Sequence, residues 1–585
     1  MRFLIFFSFL FFTCTSLPKQ PIQPEGLQRG DFSYAIQKAN WNLEVLIQAT
    51  KLQGLSVLVV DSQKELFYKG HGLEDGQKEI DKNTKFFIGS VSKVITALLV
   101  LKLVEEKKIF LDKPITDYLK SLKLIPRNST DPPPTVRQIL YHHSGLPSDI
   151  LNGFLSVSLE TANSSEYRHL ANSKIYMAEK PGKVMSYSNL GYSLLGCLIE
   201  VASKKSLEDF AKEKIFLPLE MNHTSYYYPQ FPKNGYKKTK SIEVVYIRDL
   251  PAGSIVSTAS DMGKLLQMFL NEGRFQGKIL FQSSTLQEMR TSQKSSVYDF
   301  DFKIGLPFWF ANDFIDKMQM VGHGGDIPPY HAYFGFDVYS KLGIILMTNT
   351  LSSSAELEKT ALSILGDFFE AKTGNKPTSN LALKNPKAIS KSEFQKWEGN
   401  YLTPTGWIKL QAKEKWLSTN QNIVFVPKRE NEFSYEVRLL WELIPIYLEA
   451  FSPLRVKFTK GESGEKFFAI GYGNKLFIMY GIETKLSPIF PKWKTRVGKY
   501  KIENSTKEFL TDFSLEYNEK ESLAYLNYKL NLVQPIPVRV AVEVLCEDLG
   551  YLASLGRNQG VALVWKRDEL GEYLEFSGYK LRQEK

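Results

Sequence analysis

Ser90 and Lys93 stand three residues apart at the start of an apolar run, Phe86 to Lys108, in which Val91, Val94, Ile95, Leu98, Leu99 and Leu103 recur at helical spacing. The pattern predicts a buried helix with Ser90 in its first turn. Side chains three apart on a helix are neighbours. An amine would therefore lie beside a hydroxyl, at a helix start whose free backbone N–H groups can hold developing negative charge. Burial favours a neutral lysine, one able to take a proton from Ser90. These are the parts of an acyl-transfer site. Ser-x-x-Lys by itself is common, and it recurs at Ser16/Lys19, Ser463/Lys466 and Ser577/Lys580. Those three lie in polar or Gly-containing surroundings that open no apolar helix. A helix-capping serine with a solvated lysine would give the same letters.

Two other stretches carry chemistry. Tyr187-Ser-Asn189 lies on a turn immediately before an apolar helix. A tyrosine there can shuttle a proton to a leaving group, and an asparagine can bind a substrate carbonyl or hold Lys93; a turn asparagine that caps the next helix is the plainer reading. His323-Gly324-Gly325 ends an expected strand. Two glycines let a ligand lie against a strand edge, and His323 could donate a hydrogen bond there, or simply mark a turn.

In chain order, Ser-x-x-Lys, Tyr-x-Asn and His-Gly-Gly resemble the three active-site motifs of the serine β-lactamase and penicillin-binding protein superfamily. The likeness is strongest to class C β-lactamases, family VIII esterases and D-amino-acid peptidases. Leu140 to Pro147 and Pro251 to Asp261 resemble segments that such proteins carry between the motifs, and the resemblance spans about Asn40 to Phe369. It implies Ser90 as acylated nucleophile, Lys93 as its activator, Tyr187 as general acid/base and Asn189 as a substrate-positioning amide. His323, Gly324 and Gly325 would form the strand edge, and the backbone N–H groups of Ser90 and Asp326 the oxyanion hole. One departure stands out. Many relatives have Lys-Thr-Gly where this chain has His-Gly-Gly, so the cation and hydroxyl that would hold a substrate carboxylate are missing. Recognition built on such a charged group is lost without it, which lowers penicillinase and carboxypeptidase and raises esterase or amidase. Asp326 would repel developing charge unless its carboxylate points away.

The elements around these motifs predict an α+β fold. A helix over Phe32 to Leu52 and a hairpin, Ser56 to Asp61 with Glu65 to Gly70, precede the Ser90 helix. A helical middle follows, with strong periodicity at Leu190 to Lys204 and Ala259 to Asn271. Strands return near Ile304 to Asn312, Gln319 to Gly322, Tyr333 to Val338 and Leu342 to Asn349, before a closing helix over Ser353 to Lys372. This order predicts an antiparallel sheet whose first strands pair with its last, flanked by helices, with an inserted helical subdomain. Beyond a Pro- and Asn-containing linker the pattern turns to period two, as in Val538, Val540, Val542 and Val544. Gly473-Asn474 reads as a hairpin turn. Gly-x-Tyr recurs at Gly399 and Gly498, which predicts two β-rich units or one larger barrel-like C-terminal region. The expected organisation is a signal peptide over 1–16, a hydrolase domain over 25–373, a linker over 374–390 and β-rich units over 391–485 and 486–585. The C-terminal units resemble lipocalin-like β-domains appended to some superfamily members.

Composition sets the outer bounds. The chain has 585 residues, 43% of them hydrophobic and 13% aromatic, as in a well-cored globular protein. Its net charge of +11 is spread along the chain without a long basic block, which argues against a nucleic-acid partner. Phe3 to Phe12 form an apolar run after Arg2, too short to span a bilayer and laid out as a secretory signal. Export to the periplasm, cell envelope or medium is expected. Cys14 sits where a bacterial lipoprotein carries its lipid anchor, and cleavage after Ser16 is the equal alternative. Cys197 and Cys546 read as core thiols, with no metal spacing. The expectation is an exported serine hydrolase that forms an acyl-enzyme on Ser90, needs no metal or organic cofactor, and acts on a small-molecule or peptide ester or amide; oligomeric state is left open. A D-amino-acid-specific peptidase shares the machinery. A catalytically silent scaffold is the remaining alternative, against which intact Ser90, Lys93, Tyr187 and Asn189 argue.

Overall fold

The computed structural model describes residues 18–584, apart from 27, 157–165, 228–233, 238–239, 294–295, 301, 311–317, 353, 378–388, 420–422, 430, 440–443, 447–453, 473–477, 485–489, 506–508 and 532–534. The expected signal segment with Cys14, most of the linker and the Gly473-Asn474 turn lie outside the described residues.

Strand Gly54–Asp61 is buried along nearly its whole length because it is apolar on both faces. Leu55, Val57 and Val59 point into one core, and Leu58 and Val60 into another. It pairs antiparallel with Leu342–Thr348, Leu55 opposite Thr348 and Asp61 opposite Leu342. The first strands thus join the last, as the element order predicts. The sheet runs Trp309–Phe310, Met320–Ile327, Tyr330–Asp337, Leu342–Thr348, Gly54–Asp61, Glu65–Gly72. Helices Ser33–Thr50 and Ser354–Thr373 cover the first face, closing a core around Leu43, Leu346 and Phe368. The other face packs on helix Ala259–Leu270 and, beyond it, the buried helix Ser92–Glu105. Helix Asn189–Ser203 belongs to this same core.

Strand Met320–Ile327 differs from expectation in one way that matters for the site. The sequence places the strand's end at the glycines, whereas in the structure pairing with Tyr330–Asp337 continues past them to Ile327↔Tyr330, with partners Gly324↔Tyr333, Gly325↔Ala332 and Asp326↔His331. The tight hairpin supplies a ladder partner that local glycine propensity does not reveal.

The C-terminal region contains two eight-stranded barrels. In the first, eight strands within Gly399–Thr403 to Ile478–Glu483 form a ring closed by the pairing of Ile423–Arg429 with Glu432–Leu439, and Ile444–Ile446 adds a short outer strand. In the second, eight consecutive strands run from Gly498–Ile502 to Tyr579–Gln583, which pair to close it. Both interiors are filled, one by Phe425, Phe458 and Phe468 and the other by Phe513, Trp565 and Phe576. The repeated Gly-x-Tyr has a structural counterpart. Each barrel follows a short helix, Lys391–Gln395 or Pro491–Thr495, and each tyrosine hydroxyl donates back to the carbonyl four residues earlier, Tyr401 to Trp397 and Tyr500 to Arg496. Cys197 is buried as expected, but Cys546 is exposed. Strand Pro535–Cys546 turns from its register at a bulge between Val544 and Cys546, which carries the thiol out of the barrel core.

Candidate active site

Ser90 lies in a single 3-10 turn, Gly89–Val91, that runs into helix Ser92–Glu105. It therefore sits just before the α-helix rather than inside its first turn. Gly89 makes this turn possible, with a left-handed φ of 51°. Ser92 ties the turn to its surroundings: its hydroxyl donates to Gly89 O at 2.7 Å and accepts from Ile255 N at 3.1 Å. Ser90 is left facing Lys93.

Lys93 is fully buried. Its Nζ lies 3.1 Å from Ser90 Oγ, 2.7 Å from Asn189 Oδ1 and 2.6 Å from the Ala252 carbonyl, and 4.8 Å from the centre of the Tyr187 ring. Burial drives its pKa well below the ordinary lysine value, and the positive charge of Arg557 adds to the fall; Asp149 and Asp249 oppose it. The pocket thus favours the neutral amine over the ammonium.

Asn189 opens helix Asn189–Ser203, but its cap is Ser188, whose Oγ accepts from Gly191 N at 2.9 Å. The Asn189 amide is free for other work. Its oxygen takes the Lys93 hydrogen bond, and its Nδ2 donates to Asp149 Oδ1 at 2.8 Å. In this geometry the amide holds Lys93, one of the two roles open to it in the sequence. Burial pushes the Asp149 carboxyl up, against the Asn189 hydrogen bond and the Arg557 charge.

Tyr187 is buried between rings. His142 lies 4.3 Å away, Trp309 6.0 Å and His323 6.3 Å, centre to centre, and the Arg557 guanidinium lies 4.7 Å from its ring centre. Burial raises the phenol pKa, while Arg557 and the hydrogen bond between the Tyr187 and Ser90 hydroxyls pull the other way without reversing it. The group stays a protonated phenol.

The strand edge closes the site. Beyond Gly322 and Val321, strand Met320–Ile327 leaves its partner Trp309–Phe310 and lies against the Ser90 turn. A Cβ on Gly325 would stand 1.9 Å from Ile88 O and 3.0 Å from Ser90 N, and one on Gly89 only 2.4 Å from Asp326 N. The backbones of 89–90 and 325–326 therefore touch, which brings the Ser90 and Asp326 amides together. Gly324 has open space around it. His323 is buried beside Tyr187 and Trp309, with ring centres 6.3 and 5.9 Å away; its Nδ1 donates to the strand's own Gly324 O at 2.6 Å, and its Nε2 has no partner among the described residues. Burial, and Lys93 whenever it is protonated, lower the His323 pKa to about 3. The Asp326 carboxylate points away, to His331 Nδ1 at 2.5 Å and to Ser354. Burial pushes that carboxyl up, but the His331 and Ser354 hydrogen bonds outweigh it and the net shift is downward.

The Beta-lactamase family matches residues 42–366, more than half of the chain and all of this arrangement except Arg557. The chain belongs to the beta-lactamase family. Among its relatives, Protein flp of Staphylococcus aureus (strain COL) is 25% identical over 324 residues, 54% of this chain and 63% of that protein. Beta-lactamase-like protein 4 of Dictyostelium discoideum is 28% identical over 391 residues, 61% of this chain and 68% of that one. The chain thus spans under two thirds of the length of Protein flp. The octameric penicillin-binding protein homologue from Pyrococcus abyssi aligns over 93% of this chain and 99% of its own, at 18% identity and a TM-score of 0.48.

This beta-lactamase family member also uses residues that motif reading passes over. His142, in the Leu140 to Pro147 segment, accepts from Ser188 N at 3.1 Å and stacks on Tyr187. Asp149 follows the same segment by two residues. Arg557 has no local signal: it comes from the second barrel, and only folding brings it to Tyr187. Among the described residues no cluster of His, Cys, Asp and Glu could hold a metal ion, and no helix is long and apolar enough to cross a membrane.

Proposed function

We propose that this chain is a serine hydrolase acylated on Ser90 that hydrolyses an ester or amide. The bonding of Lys93 carries the reading. A neutral amine has two N–H donors and one lone pair. Asn189 Oδ1 and the Ala252 carbonyl can only accept, so they take both hydrogens and leave the lone pair to the Ser90 hydroxyl. Ser90 Oγ attacks the substrate carbonyl as its proton passes to Lys93. The tetrahedral oxygen is received by the Ser90 and Asp326 amides. Tyr187, kept protonated, donates to the leaving group and takes back a proton from Lys93; a water then attacks the acyl-enzyme as its proton passes to the again neutral Lys93, which returns it to Ser90 Oγ as the acid departs. The apolar N-terminal segment supports placing this activity outside the cytoplasm.

The test is intact-mass spectrometry after exposure to a short-chain p-nitrophenyl ester, a penicillin and a serine-directed phosphonate. The expected result is one adduct, on Ser90, absent from Ser90→Ala, with ester turnover that Lys93→Ala lowers by about 10²- to 10⁴-fold. A folded protein that gives no adduct with any probe is a silent scaffold.

A further inference from the structure

The second barrel reaches the active site through the loop over 553–561, between strands Leu549–Leu552 and Ala562–Asp568. Its conformation is closely determined. Ser554, Gly556, Asn558 and Gly560 all have left-handed φ, from 64° to 98°. Asn558 N donates to Ser148 Oγ at 2.8 Å, Ser554 Oγ to Tyr480 O at 3.1 Å, and Leu555 packs with Val184, Tyr298 and Phe467. A side chain on Gly560 would stand 2.8 Å from Ala178 O. Both the catalytic domain and the first barrel therefore hold this loop in place.

The loop presents one charged side chain to the site. The Arg557 guanidinium lies over Tyr187, on an exposed residue, and makes no hydrogen bond or ion pair among the described residues. The carboxylates around it are engaged elsewhere, Asp149 with Asn189 and Asp326 with His331 and Ser354. A guanidinium has five N–H donors in a planar fork that matches a carboxylate. Here that fork is aimed at the mouth of a site whose own strand, His323-Gly324-Gly325, carries no cation.

We propose that Arg557 is a specificity-determining residue that binds a carboxylate on the leaving-group side of the substrate. The leaving-group side follows from its neighbour, since Tyr187 is the group that protonates the departing atom. The preferred substrate is then an ester or amide whose departing alcohol or amine bears a carboxylate, held by a cation that the second barrel supplies in place of the missing strand lysine. This rests on the acyl-enzyme reading above.

The test compares kcat/KM for two acetate esters, 4-nitrophenyl acetate and its analogue with a carboxylate on the nitrophenyl ring, in the full chain and in Arg557→Gln, Arg557→Lys and Arg557→Glu. The readout is the ratio of the two esters within each protein, corrected for their uncatalysed rates. Any effect of Arg557 on Lys93 acts on both esters and cancels. The wild-type ratio should favour the carboxylate ester, fall by about 10- to 100-fold in Arg557→Gln, fall further in Arg557→Glu and recover partly in Arg557→Lys. A ratio that Arg557→Gln leaves unchanged, or a preference only for a carboxylate on the acyl side, overturns the proposal while the hydrolase reading stands. No turnover and no Ser90 adduct in the wild type overturns both.

Discussion

Lys93 and Tyr187 divide the proton work because burial acts on them in opposite senses. It removes the proton from an amine and retains it on a phenol, so the same dry pocket holds a base and an acid side by side. The charges nearest Lys93 then set its working range. Activity should fall on the acid side as Lys93 gains a proton. Arg557 disfavours that proton and Asp149 favours it. Arg557→Gln should therefore move the acid limb of kcat/KM for a neutral ester to higher pH, and Asp149→Asn should move it to lower pH. Opposite displacements identify the limb as Lys93; displacement in one direction by both variants would assign it to another group. A neighbouring serine keeps one group free: Ser188 carries the capping contact, which leaves the Asn189 amide to Lys93 and Asp149.

At the level of elements, the site depends on how closely the Gly89–Val91 turn meets strand Met320–Ile327. Glycine at 325 is required by its neighbour's backbone, since a Cβ there meets Ile88 O at 1.9 Å. Gly325→Ala should push the strand off the turn and part the two amides, lowering kcat/KM by about 10²-fold or more. Gly324→Ala, whose Cβ meets nothing within 4 Å, should cost less. Equal losses in steady-state kinetics would show that the strand, and not its closeness to the turn, is what the chemistry needs. The strand itself is fixed by its hairpin with Tyr330–Asp337, whose His331 also draws the Asp326 carboxylate away from the amides.

Across the whole molecule, the barrels grip the catalytic domain at the segment that orients Asn189. Ser577 accepts from Leu151 N through its hydroxyl at 2.9 Å and from Asn152 N through its carbonyl at 3.1 Å, next to Asp149. Arg127 bridges to Glu543 at 2.6 Å, Tyr298 stacks on Phe467 at 4.5 Å, and the two barrels join where Ala541 N donates to Pro404 O. Stability is also tied to pH through buried imidazole. His323 has a pKa of about 3 when folded, against about 6.5 for an unfolded chain. Between those values the unfolded state binds the extra proton, so stability is lost as pH falls, by about 1.4 kcal/mol per pH unit for this group. His142, whose pKa burial also lowers far below its ordinary value, adds in the same direction. Urea unfolding from pH 7 to 4 should show this loss, with a shallower slope in His323→Asn; an unchanged slope would exclude His323 as its source.

Local pattern alone determined the elements whose signal lies in their own residues: the apolar helix behind Ser90, the helix after Tyr187, the strands Gly54–Asp61 and Leu342–Thr348, and the paired Gly-x-Tyr starts of the barrels. Ser90, Lys93, Tyr187 and Asn189 were legible because short motifs at fixed spacing keep side chains together. Tertiary structure decided the rest, because those relations join residues far apart in the chain. It carried the ladder through Gly324 and Gly325, buried His323 beside Tyr187 and Trp309, turned Asp326 toward His331, and moved Cys546 to the surface. It also set Asn189 between Lys93 and Asp149, and it brought in Arg557 beside Ser148's partner Asn558, across a separation of 410 residues. No periodicity records such a contact; only the docking of the second barrel creates it.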